Sequence, residues 1–128
     1  MVGQEMRIAK GNVTKGINIP GSQGETFVIY TPSQYSQNKK WPVIFIFDPK
    51  GRATSTANLF RPAAEDQGYI IAALELDLKS KSLDSVINTS VSMMNVVTGT
   101  LGIDPEQIYF AGMAEGARAR KAKATKGT

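Results

Sequence analysis

Pro42-Val43-Ile44-Phe45-Ile46-Phe47 restricts the fold of this chain more than any other segment. The run is continuously apolar and rich in β-branched and aromatic residues, without the polar alternation of a strand that has one wet face. It is far too short to cross a bilayer. It therefore predicts a central strand covered on both faces, as in a parallel sheet flanked by helices. Two further runs, Tyr69–Leu74 and Ile108-Tyr109-Phe110-Ala111, are of the same kind. Helical spacing fills the gaps between the three. A helix is predicted from about Ser55 to Gln67, with Ala57, Phe60 and Ala64 on one face and Gly68 as its stop; Pro62 either kinks it or marks a later start. A second is predicted over Ser82–Leu101, where Leu83, Val86, Ile87, Val91, Met94, Val97 and Leu101 share the period and Asp84 suits the first turn. Asp104-Pro105-Glu106 reads as the turn before the last strand. Alternating strands and helices predict the α/β class, three layers α/β/α, with right-handed crossovers.

Ahead of this unit the pattern changes. Val13, Ile17 and Ile19 alternate with polar residues, Pro20 to Gly24 is turn material, and Thr26–Tyr30 follows, so an antiparallel hairpin is predicted. Thr31-Pro32-Ser33 ends its second strand. The predicted architecture is thus a hairpin followed by parallel strands, in one domain over residues 1–116. All 11 acids and ten of the 15 cations lie in that body, which carries a net charge of −1. Arg118, Arg120, Lys121, Lys123 and Lys126 follow without an acid, so residues 117–128 read as a basic tail, helical or disordered. The tail lacks the aromatic residues of a single-strand binding surface, and no nucleic-acid partner is expected.

The 128 residues contain no Cys and no His. That removes thiolate and imidazole metal ligands, the cysteine nucleophile and the commonest general base; no metal or cofactor is expected. No long apolar run occurs, so neither a membrane span nor a signal peptide is expected; the reading is cytoplasmic, or secreted without its leader.

Gly112-Met113-Ala114-Glu115-Gly116 follows the third buried strand. Glycines at its first and fifth positions suit the tight strand-to-helix turn of a nucleophile elbow, G-x-S-x-G, with Ala114 in the middle position. With Trp41–Phe47 leading into Asp48-Pro49 and Gly51-Arg52, and with Asp104 to Gly112 before the turn, residues 25–118 resemble the α/β-hydrolase superfamily. The likeness is to its esterase and polyhydroxybutyrate-depolymerase-like branch. Thr26–Pro32 resembles that group's second strand, Pro42–Phe47 the third, Tyr69–Leu74 the fourth and Ile108–Ala111 the fifth.

The resemblance implies a serine hydrolase of carboxylic esters, with an acyl-ester or polyester ligand and no cofactor. It implies an oxyanion hole from two backbone N–H groups, here Glu115 and one within Pro49–Arg52, with Gly51 the candidate. The departures empty the catalytic roles. Ala114 has no lone pair to attack a carbonyl, the base would be a His that the sequence lacks, and the acid partner has no counterpart. Glu75, Asp77 and Asp84 lie in other segments and are better explained at strand ends and a helix cap. The expectation is a truncated, catalytically inactive hydrolase-like domain. Truncation with drift accounts for both defects together, whereas a natural pseudoenzyme or a purposeful serine-to-alanine exchange accounts only for Ala114. It also predicts an unpaired edge at Ile108–Ala111 through which the chain self-associates. An alternative is a non-catalytic binding or strand-pairing module that meets a partner chain along that edge. A small enzyme working with paired carboxylates ranks last, because no such pair shares an element and no phosphate loop occurs.

Overall fold

The computed structural model describes residues 8–77 and 81–112 and the backbone of 125–126. In chain order the elements are β1 (Val13–Asn18), β2 (Thr26–Tyr30), β3 (Trp41–Phe47), α1 (Ala53–Gln67), β4 (Ile70–Glu75), α2 (Leu83–Thr100), β5 (Ile103–Gly112) and β6 (Thr125–Lys126). The strands form one mixed sheet in the order β1-β2-β4-β3-β5-β6. β1 and β2 pair antiparallel, as expected of the hairpin, and β2 joins β4 antiparallel. β3 lies parallel between β4 and β5, which is the central place its apolar run requires.

Side chains alternate across the sheet and so supply two cores. Val28, Tyr30, Ile46, Ile71 and Ala73 face α1, which meets them with Ala53, Ala57 and Ala64. Phe27, Ile29, Val43, Phe45, Ile70 and Ala72 face the other way and pack with Met93 and Val97 of α2. These are the three layers predicted. α1 starts two residues before the expected Ser55 and runs through Pro62 without a break in assignment. It stops at Gly68, whose left-handed φ of 78° lets its N–H donate to the Ala64 carbonyl at 2.8 Å. α2 is capped by the Ser82 hydroxyl, which accepts from the Ser85 N–H at 3.1 Å.

The last strand differs from its prediction. β5 begins at Ile103, so Asp104-Pro105-Glu106 lies within it. The register explains why: Trp41 faces Ile103 and Val43 faces Ile108, so five residues of β5 span what two of β3 span. The predicted turn survives as a bulge, closed by the Glu106 N–H donating to Asp104 Oδ1 at 2.9 Å. Pro42 sits opposite the bulge, where its missing N–H costs no ladder bond. The edge of β5 also differs from the bare edge expected. β6 pairs with it antiparallel, Tyr109 opposite Lys126 and Phe110 opposite Thr125. Among the described residues no helix is long and apolar enough to cross a membrane.

Candidate functional site

The chain crosses the sheet in a way that makes one crevice. From β3 it passes through α1 to β4 on one side, then through α2 over the opposite face to β5 on the other side of β3. At such a switch point the loops leave the carboxyl ends of neighbouring strands in different directions, and ligands bind between them. Here the neighbours are β3 and β5, and their ends are level because Phe47 pairs with Gly112. The loop 48–52 therefore starts beside Gly112.

Asp48 organises the first of these loops. It is 3% exposed, and its carboxylate is gripped by Arg52, with Nε at 2.6 Å from Oδ2 and Nη2 at 2.9 Å from Oδ1. The Lys50 N–H also donates to Oδ1 at 3.2 Å and the Arg52 N–H to Oδ2 at 3.1 Å. The Arg52 hydrogen bonds hold the Asp48 carboxyl below the usual carboxylate range, burial opposes them, and the two backbone donors add to them. Gly51 closes the turn: its N–H donates to the Asp48 carbonyl at 2.8 Å, with φ at 66°. A Cβ there would lie 2.9 Å from the Leu76 carbonyl carbon, so only glycine lets the loop rest on the end of β4. A bridge between Lys50 and Asp77 fixes the same contact.

The candidate oxyanion donor Gly51 is thus at the crevice, with its N–H turned into its own loop. Lys50 and Arg52 likewise give their N–H groups to Asp48, and Pro49 has none. Gly112, the first glycine of the expected turn, ends β5 beside Phe47. Ala114, Glu115 and Gly116 lie outside the described residues. The sequence reading looked within Pro49–Arg52 for an oxyanion donor and missed the Asp48–Arg52 pair. Its signal was an Asp at the end of an apolar strand, followed by Pro, Gly and an Arg four residues on, the makings of an Asx turn with a charged clamp.

A second polar cluster was also missed, and it sits at the opposite rim. Glu65 of α1 accepts from the Ser33 N–H at 2.9 Å and from the Ser33 and Tyr30 hydroxyls. Glu65 is lowered to about 2, first by the Ser33 hydroxyl and then by Tyr30. Tyr30 is raised to about 12, first by burial and then by Glu65. Tyr30 pairs with Ile71 at the start of β4, so the cluster ties α1 to β2 at the amino ends of the parallel strands, away from the crevice. Among the described residues no three His, Cys, Asp or Glu side chains gather as a metal set.

No protein-family model matches the sequence, and no curated protein matches it. Solved structures do. An esterase from Pyrobaculum calidifontis superposes with a TM-score of 0.60 at 19% identity, covering 84% of this chain and 37% of its own. An acetyl ester-xyloside bifunctional hydrolase from Caldicellulosiruptor lactoaceticus gives 0.59 at 17%, covering 85% and 44%. Poly(aspartic acid) hydrolase-1 from Sphingomonas sp. KT-1 gives 0.60 at 14%, covering 83% and 48%. The chain spans less than half the length of each. Over that span the chain has the α/β-hydrolase fold of these structures.

Proposed function

We propose that these 128 residues form the part of a serine-hydrolase-type ester hydrolase that frames the crevice, and that they do not hydrolyse esters by themselves. The observation that carries this reading is the level pairing of Phe47 with Gly112, which sets the start of the Asp48–Arg52 loop beside the first glycine of the sequence Gly112-Met113-Ala114-Glu115-Gly116. In a G-x-S-x-G elbow the middle position holds the nucleophilic serine, and in this sequence that position is Ala114. The alanine methyl has no lone pair, and no imidazole exists in the sequence to take a proton. The oxyanion side is weak as well, because the donors of 50–52 are spent on Asp48. The ligand class belonging to this reading is an acyl ester or polyester.

The test is p-nitrophenyl acetate hydrolysis by the chain and by Ala114→Ser. Neither is expected to exceed the buffer rate, since a serine hydroxyl without a base is a weak nucleophile at neutral pH. Turnover that appears with the serine would overturn the reading, and so would turnover by the unaltered chain.

A further inference from the structure

Every backbone N–H of residues 50–52 ends on one residue. Lys50 and Arg52 donate to the Asp48 carboxylate, and Gly51 donates to the Asp48 carbonyl. The carboxylate is filled in a regular way. Its Oδ1 takes the Lys50 N–H at 3.2 Å and Arg52 Nη2 at 2.9 Å, while Oδ2 takes the Arg52 N–H at 3.1 Å and Arg52 Nε at 2.6 Å. Each oxygen thus has one backbone donor and one guanidinium donor, the arginine fork completed by two amides. These donors do not owe their places to Asp48 alone. Arg52 is tied to the first turn of α1, where its carbonyl accepts from the Thr56 N–H at 3.0 Å and the Thr56 hydroxyl at 2.7 Å. Gly51 rests on Leu76 and Lys50 bridges to Asp77, both just past the end of β4.

We infer, resting on the proposed reading of this loop as the oxyanion side of the crevice, that the Lys50 and Arg52 amides and the Arg52 guanidinium form a receptor for a small carboxylate. The chain keeps that receptor filled with its own Asp48 side chain, an autoinhibitory contact that closes the oxyanion side. A tethered carboxylate meets the donors at an effective concentration far above that of a free anion, so an anion from solution does not displace it. A ligand for the emptied receptor must match what Asp48 supplies: one negative charge, a planar pair of oxygens, and a volume no larger than the lost side chain. Formate and acetate have this chemistry. Chloride has the charge without the paired oxygens, and sulfate is tetrahedral and larger. The Arg52 side chain is 31% exposed and that of Asp48 2%, so the guanidinium is the outer wall of the receptor and solvent reaches the site past it.

Thermal melting of Asp48→Ala in formate, acetate, chloride and sulfate at equal ionic strength tests the inference. In chloride the variant is expected to melt below the unaltered chain. Formate or acetate should raise its midpoint by about 3 °C or more in a saturable way, and the Lys50 and Arg52 amide resonances should move over the same concentrations. The unaltered chain should show no such shift, because its receptor is full. Asp48→Asn, whose amide occupies the same volume, should lose stability without regaining it in formate. Arg52→Gln added to Asp48→Ala should abolish the recovery, since the guanidinium supplies half of the donors. If Asp48→Ala is unfolded in chloride, refolding in formate, read by circular dichroism, is the expected result in place of the shift. An equal response to all four salts, a response to none of them, a response of the unaltered chain as large as the variant's, or Lys50 and Arg52 resonances that stay still would each overturn the inference. No ester enters these measurements. Their failure leaves the proposed function standing, while ester turnover by the unaltered chain overturns that function and not the formate result.

Discussion

β4 and β5 are both apolar strands beside β3, yet they live in different surroundings. Ile70, Ile71, Ala72 and Ala73 of β4 are sealed between α1 on one face and α2 on the other. On β5, Ile108, Tyr109 and Phe110 are only half covered, and Ile44, Tyr69 and Tyr109 line an open groove of about 310 Å³ on the α1 side. Each strand holds a short apolar run, Ile70–Leu74 in β4 and Ile108–Ala111 in β5, and the helices above the two runs differ. An apolar run thus states what a strand can tolerate on its faces, while the neighbouring elements decide how much of it is covered.

The largest effect should come from cutting the sealed side. Phe27 is fully buried in the α2-side core, and Phe27→Ala is expected to cost about 3–5 kcal/mol through lost burial and a residual cavity. Phe110 is the same residue type on β5, partly exposed, and Phe110→Ala should cost about 1–2 kcal/mol, because a side chain already half in water loses less on removal. Urea unfolding of the two variants measures the gap. Equal costs would mean that β5 is as well covered as β2, the strand that pairs with β4 on the sealed side, and would weaken the contrast.

The same contrast marks where the sequence was informative. Val43 to Phe47 announced a strand covered on both faces and delivered one, because β-branched and aromatic side chains fit both cores at once. Ser82, Asp84 and the Leu83–Val97 periodicity defined α2, since caps and period are local properties. Asp104-Pro105-Glu106 was legible as a turn, but a turn inside a strand requires the register of β3, which depends on residues more than 60 positions away. The Glu65 cluster was hidden for the same reason. Glu65 and Ser33 are 32 residues apart and meet only when α1 lies on β2. The candidate site was half legible: glycine spacing marked Gly112 and the family resemblance pointed to Gly51, while the Asp48-to-Arg52 pattern that turns the 50–52 donors inward was a local signal left unread.

Asp48 lies under the crevice between the two regions, and its removal should rank next. Asp48→Asn keeps the volume but leaves Arg52 and two N–H donors facing a neutral amide in a buried site. Breaking one side of a buried ion pair costs about 3 kcal/mol or more, with the loop contact to Leu76 loosened as well. Chemical denaturation gives the stability, and faster amide exchange at Lys50, Arg52 and Asp77 would localise the change. A neutral outcome would show that Gly51 packing on β4 holds the loop without the ion pair.

pH should act on the opposite rim and have the least effect near neutrality. Glu65 is lowered from 4.5 to about 2 in the folded chain, so the unfolded state binds the proton more readily. Stability from this carboxylate is complete above the unfolded value and is lost as pH falls from about 4.5 toward 2. Tyr30 is raised from 10.0 to about 12, so its contribution is complete below pH 10 and is lost as pH rises through 12. The two groups share a hydrogen bond, and Glu65→Gln should therefore flatten the acid limb and lower the Tyr30 titration at once. Melting temperature against pH, with the phenolate absorbance followed in parallel, reads both limbs. An acid limb unchanged in Glu65→Gln would assign acid sensitivity to Asp48, and with it to the crevice instead of the sealed side of the sheet.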